Sequence, residues 1–196
     1  TVTTPAGPVT GETTLTVQPA PLLTLSSTVA TFSVGTATTI TVLSGTPAGP
    51  GGLLVTLTQV GTGQVSMTNS VLIPPSGTSG SVVATGAAVG PLSITASAPG
   101  RISATLALAV TPPPPTVGGF SPFAGKAGDQ ITVIGTNFIN VQAVRFNGLA
   151  AGVFSVTGLT SLLVTVPAGA SSGKITVVSA TGQGVSTGDF AIIGMT

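Results

Sequence analysis

Histidine, cysteine, tryptophan and tyrosine are all missing from this 196-residue chain, and charge is almost missing too. Four Lys/Arg and three Asp/Glu give a net charge of +1, with 4% of residues charged, against about 25% in ordinary soluble domains. Each absence removes a class of chemistry. Without His or Cys there is no usual general base, no thiol nucleophile and no zinc or iron–sulfur site. Four basic groups cannot neutralise a run of phosphates, which argues against a nucleic-acid partner. Without Trp or Tyr the chain lacks the amphipathic rings that stack on sugars, so carbohydrate is a poor ligand. The most apolar stretches, Ile102–Val110 and Phe190–Met195, are broken by Ser, Thr or Gly and fall short of the roughly 20 apolar residues of a membrane-spanning helix. The composition predicts a chain that is not an enzyme, with no catalytic, metal or cofactor residues. Lack of cysteine suits an extracellular protein that does not rely on disulfides, and equally a cytosolic one.

What is present is aliphatic, hydroxyl-rich and heavily punctuated, with 28 Gly, 16 Pro and 42% hydrophobic residues. Ile102, Ala104, Leu106, Leu108 and Val110 alternate with Ser103, Thr105, Ala107 and Ala109. Ile40 and Val42 alternate with Thr39 and Thr41, Val55 and Leu57 with Thr56 and Thr58, and Leu162, Val164 and Val166 with Leu163 and Thr165. A period of two marks half-buried strands, and β-branched Thr suits their outer faces. Gly, Pro, Ser and Asn clusters recur about every 8–12 residues, the spacing of an all-β sandwich or barrel.

Pro112–Pro115 is an unbroken proline run. It cannot continue a sheet ladder, and at about 3.1 Å per residue it makes a stiff spacer of roughly 12 Å. Phe32 is the only Phe before it, whereas Phe120, Phe123, Phe138, Phe146, Phe154 and Phe190 follow. This predicts one unit over 18–111, a linker over 112–115 and a second unit over 116–196. The opening residues 1–17 align without a gap on 176–192: Thr1-Val2 meets Thr176-Val177, Gly7 meets Gly182 and Leu15 meets Phe190. They read as the terminal hairpin of a preceding copy of the second unit. Two strands alone are marginal in water. The chain is therefore expected to be cut from a tandem array, or its hairpin to dock on a neighbouring subunit.

Phe120-Ser121-Pro122, Gly125, Gly128, Ile131-Thr132-Val133, Gly135-Thr136-Asn137-Phe138, Val144-Arg145-Phe146-Asn147-Gly148, Val164-Thr165-Val166-Pro167, Gly173-Lys174-Ile175-Thr176-Val177 and Asp189-Phe190 occur in the order found in the IPT/TIG family. Residues 115–193 thus resemble that family of immunoglobulin-like domains. Residues 22–111 are similar, less specifically, to the Thr-rich immunoglobulin-like repeats of large bacterial surface proteins, through Leu23-Thr24-Leu25-Ser26, Gly51–Leu57, Val71–Pro74, Ile94–Ala96 and Ala104–Leu106. The resemblance implies an all-β chain of two tandem immunoglobulin-like β-sandwiches outside the cell. It does not supply a function, since such folds host many.

Local chemistry is read conservatively. Gly135-Thr136-Asn137-Phe138 is expected to form a turn or bulge that returns Phe138 to the core, and Asn147-Gly148 a type I′ hairpin turn. Gly169–Lys174 is similar to a phosphate-binding loop but is one residue short, lacks the Ser/Thr that would hold magnesium and precedes no helix; a hairpin turn is expected there. Glu12, Asp129 and Asp189 are the only carboxylates and are too few to hold calcium. Lys126, Lys174 and Arg145 are expected to pair with Asp129 and Asp189 on the surface. Phe123 is the one candidate contact residue. The expected role is a structural repeat module of an extracellular filament or cell-surface fibre that associates with copies of itself. The alternatives are a spacer or binding module of a bacterial adhesin, or an accessory domain of a secreted enzyme.

Overall fold

A computed structural model of the chain describes residues 18–194. The hairpin expected at residues 1–17 lies outside the described residues. No helix occurs among the described residues. The alternating segments are strands, gathered into two units that are each two stacked sheets.

The first unit comprises β1 (Leu23–Ser27), β2 (Thr31–Ser33), β3 (Ala37–Ser44), β4 (Leu53–Gly61), β5 (Gln64–Ser66), β6 (Ser70–Ile73), β7 (Ser79–Ala88), β8 (Gly90–Ser97) and β9 (Ala104–Thr111). One sheet has the order β1-β3-β7-β5, the other β2-β9-β8-β4-β6. Its core is aliphatic: Leu23, Ile40, Val42, Val55, Ile73, Ile94 and their neighbours are buried, with Phe32 the single aromatic. Register puts hydroxyls outside in rows. Ser26, Thr41 and Ser81 lie abreast on one sheet, and Thr58, Thr95 and Thr105 on the other. Thr38 departs from this pattern and is buried. Its hydroxyl is satisfied by Ser27 Oγ at 2.9 Å and Thr28 Oγ1 at 3.0 Å, which spares the core an unpaired polar group.

The second unit comprises β10 (Thr116–Ser121), β11 (Ala124–Gly125), β12 (Gln130–Thr136), β13 (Val141–Phe146), β14 (Leu149–Ala150), β15 (Phe154–Gly158), β16 (Ser161–Thr165), β17 (Gly173–Ser179) and β18 (Gly182–Ile192). Its sheets have the orders β10-β12-β16-β15 and β11-β18-β17-β13-β14. Here aromatic rings fill the centre. Phe190 meets Phe146 and Phe120 edge to face, at centroid distances of 5.3 and 6.0 Å, a favourable quadrupole arrangement. Phe138 is also buried, and the geometry behind it is the expected turn: Asn137 has φ +58°, which swings the next side chain inward. Asn147 and Gly148, with φ of +45° and +90°, form a two-residue connection between β13 and β14, as a type I′ turn requires.

Pro112–Pro115 belongs to no strand, yet it does not run free as a spacer. Thr181 Oγ1 lies 3.5 Å from the Pro113 carbonyl, and Asn137 Nδ2 donates to that of Pro114 at 3.3 Å. The Pro114 ring lies so close over Gly182 that a Cβ there would meet it at 2.9 Å. The proline run is a seated part of the second unit's entry pole. The Gly169–Lys174 expectation needs correction. β16 and β17 lie in different sheets, so the segment between them is a crossover from one sheet to the other and not a hairpin turn. Period-two patterning locates strands but does not say which sheet the next one joins.

Candidate functional site

Charged groups are placed sparsely and apart. Arg101 is the only charged residue between Gln18 and Thr111, and its guanidinium donates to Thr46 Oγ1. In the second unit a bulge in β18 sets the one ion pair found among the described residues. Between Lys174↔Asp189 and Thr176↔Val185, β18 carries three residues against the single Ile175 of β17. Buried Ser186 closes the bulge by accepting from the Ile175 N–H at 3.0 Å and donating to the Gly188 carbonyl at 2.7 Å. Asp189 thus sits well inside a long strand. Lys174 Nζ reaches its carboxylate at 2.8 Å and also the Thr187 carbonyl. Both side chains are substantially exposed, 45% and 65%, so the pair contributes at most about 1 kcal/mol.

Asp129 has a different task from the expected surface pairing. Its Oδ2 accepts from the Lys126 backbone N–H at 2.9 Å, and its own N–H donates to the Lys126 carbonyl at 3.1 Å. This closes the Lys126–Asp129 turn on the backbone and leaves the Lys126 amine out of it. Arg145 stands on the outer face of β13, abreast of Thr176 on β17. No group of three metal-ligating side chains occurs among the described residues, and no nucleophile–base pair is assembled there.

Phe123 is the most exposed aromatic, at 73%. Its ring still touches Phe120 edge to face at 5.8 Å, and its carbonyl accepts from Ala191 N at 3.0 Å. It therefore stands out from a fixed backbone at the exit pole of the second unit. A shallow cavity of about 300 Å³ opens at the same pole, lined by Lys126, Ala127, Pro167, Ala170, Ile192 and Ile193. Sequence reasoning singled out Phe123 but not this cavity, which two loops and the end of β18 combine to form.

The ends of the units are informative. β10 and β18 place Pro115, Thr116 and Gly182 at one pole, and β18 then runs its eleven residues to Ile192 beside Gly125 at the other. The first unit behaves alike: Leu22 bridges to Ile102 at the entry pole, and β9 carries the chain away to Thr111. At about 3.3 Å per residue, each unit displaces the chain by roughly 30 Å from entry to exit.

The second unit thus combines two stacked sheets, an aromatic cluster around Phe190 and positive-φ turns at Asn137 and Asn147. Residues 115–192 match the IPT/TIG domain. No curated protein sequence matches the chain. Among solved structures, it is similar to a C-terminal 282-residue fragment of intimin, solved in complex with the intimin-binding domain of the translocated intimin receptor. That likeness has 15% identity and a TM-score of 0.52, and covers 85% of this chain and 62% of the fragment. It is also similar to bovine butyrophilin at 8% identity and a TM-score of 0.50, covering 88% of this chain and 99% of that one. The chain thus spans less than two thirds of the intimin fragment. At such identities the likeness establishes tandem immunoglobulin-like sandwiches and nothing about ligands, and no helix among the described residues is long and apolar enough to cross a membrane.

Proposed function

We propose that this chain is a non-catalytic structural repeat module of an extracellular filament or cell-surface fibre, joined end to end with copies of itself. The observation that carries this reading is the polar separation of entry and exit in both units. A unit entered at one pole and left at the other converts each added repeat into added length, whereas a unit with adjacent termini would hang to the side. The seated proline run supports it, because a joint held by Asn137 and Thr181 fixes the direction in which the second unit leaves its linker. The hydroxyl rows and scarce charge support it too: they remove the like-charge repulsion that keeps monomers apart. Extracellular or cell-surface placement follows from the same reading, as does self-association as the principal partnership.

One observation favours a second reading, that of a contact module at the end of an adhesin: Phe123 stands exposed at a pole, not on a side. Electron microscopy of native material carrying this chain decides between them. The fibre reading expects filaments or stalks with an axial repeat of about 80–100 Å, from two extended sandwiches and their joints. Isolated globular particles with no axial repeat would overturn it. Under the contact reading, Phe123→Ser leaves the fold intact and abolishes binding to the target surface.

A further inference from the structure

An edge strand presents a row of N–H and C=O groups able to template pairing with another chain. Most edges in this chain are closed. β1 lies along β9, with Leu23 N–H donating to the Ile102 carbonyl at 2.9 Å, and β10 packs along β18. β2 continues into a bridge between Val34 and Gly86. The β5 edge is capped by a side chain: Gln59 Oε1 accepts from Val65 N–H, and its Nε2 donates to the Val65 carbonyl, both at 2.9 Å. β6 packs beside β7 and runs into Pro74-Pro75, while β11 and β14 are two residues each. That leaves β15, five residues long, whose one strand partner is β16.

Apart from the register shift between Val156 and Gly158, β15 lacks the usual guards. Phe154-Ser155-Val156-Thr157-Gly158 contains no proline and no charge, and no strand of the sheet β10-β12-β16-β15 carries a charged residue. The charges of the second unit lie elsewhere, Arg145, Lys174 and Asp189 on the opposite sheet and Lys126 and Asp129 at a turn. A charged partner strand would lose its water here and gain no counter-charge, so the fitting partner is an uncharged strand. The chain itself supplies one. Read about Val156, the segment is self-complementary. Val153 falls opposite Leu159, Phe154 opposite Gly158 and Ser155 opposite Thr157.

We propose that β15 pairs antiparallel with β15 of a second copy, about a two-fold axis at Val156. The Val153 carbonyl is already taken by Thr165 N–H at 3.0 Å, so strand alternation turns the N–H and C=O of Phe154 and Val156 to the open side. Val153 and Leu159, 66% and 65% exposed in the single chain, cover each other across the axis. The Phe154 ring shields Gly158, a pairing that offsets the weakness of glycine in a strand. The register shift between Val156 and Gly158 against β16 confines the new ladder to its centre, and the side-chain pairs hold its ends. The contact is isologous and lateral, and it stands independently of end-to-end joining.

Sedimentation equilibrium of the 196-residue chain tests it. The expected result is a reversible dimer whose dissociation constant rises about tenfold or more in Ser155→Lys/Thr157→Lys, which sets like charges opposite each other twice. Ser155→Lys/Thr157→Glu sets opposite charges in the same places and keeps the dimer. Val156→Pro removes an outward N–H that no intrachain bond uses, so it abolishes the dimer without lowering the melting temperature. A chain that stays monomeric to about 1 mM, or double-lysine and proline variants that dimerise as the wild type does, would overturn the proposal. Loss of the dimer in the opposite-charge variant, with its melting unchanged, would overturn the register.

Discussion

Gly135→Ala is the sharpest test of how the second unit is packed. Gly135 lies near the end of β12, opposite Val117 on β10, with its N–H donating to the Thr160 carbonyl at 2.9 Å. A Cβ built there meets the Thr116 carbonyl oxygen at 1.9 Å and Phe138 Cζ at 2.8 Å. Neither neighbour can yield cheaply. The carbonyl is backbone of a paired strand, and the ring is fully enclosed. One added methyl group in a packed site costs about 1–3 kcal/mol, and a backbone obstruction belongs at the upper end, so about 3 kcal/mol is expected. For a unit of this size each kcal/mol lowers the melting temperature by about 4–8 °C, giving a fall of roughly 12–24 °C. With no Trp or Tyr to report by fluorescence, scanning calorimetry is the suitable assay, and the fall belongs to the second unit alone. Gly118→Ala is the matched control: its Cβ meets nothing nearer than the Ile134 carbonyl at 3.8 Å. That variant loses unfolded-chain entropy without a clash and should melt no lower than the wild type. A Gly135→Ala protein melting within about 2 °C of the wild type would refute the close approach of β10, β12 and Phe138.

Gln59→Ala should destabilise the first unit by about 1–3 kcal/mol, because it removes two hydrogen bonds to Val65 and leaves those backbone groups unpaired; calorimetry checks this, with the second unit's transition unmoved. Asp189→Asn should alter stability by less than about 1 kcal/mol at any ionic strength, since its partner Lys174 is solvated; a larger loss in chemical denaturation would show that the pair supports the β18 bulge.

Which strands form, and which way they face, was largely legible in the residues. Ile40 and Val42, Val55 and Leu57, and Leu162, Val164 and Val166 all point inward because strand geometry and a one-sided core leave period two no other solution. The Asn137 and Asn147 turns were legible for a local reason, since few residues tolerate positive φ. Long-range partners were not legible. The Gly169–Lys174 crossover has the composition of any tight turn, and only the sheet order distinguishes it. The Gln59 clamp on Val65, the Ser186 bulge and the cavity at the exit pole each depend on backbone brought close by the fold. A Gln, a Ser or a Pro in such a place carries no periodic signal. Phe123 lay between these cases. It stood out in the sequence as a candidate contact residue, but its exposure follows from Phe120 and Phe190 having already filled the space beneath.

The shortage of charge also has a distribution that counting hides. Five of the seven charged residues follow Pro115, and Arg101 is alone between Gln18 and Thr111. Within the second unit the division is by face: one sheet bears Arg145, Lys174 and Asp189, and the strands of the other bear none. General solubility would be served by scattering those few charges, and edge strands are ordinarily the first places to receive them. Here the most open edge, β15, lies in the sheet that received none. Scarcity alone would place charge indifferently between the two sheets. Its concentration on the sheet away from β15 gives the unit one face suited to water and another suited to an uncharged strand, and that asymmetry ties the composition to a particular surface of the fold.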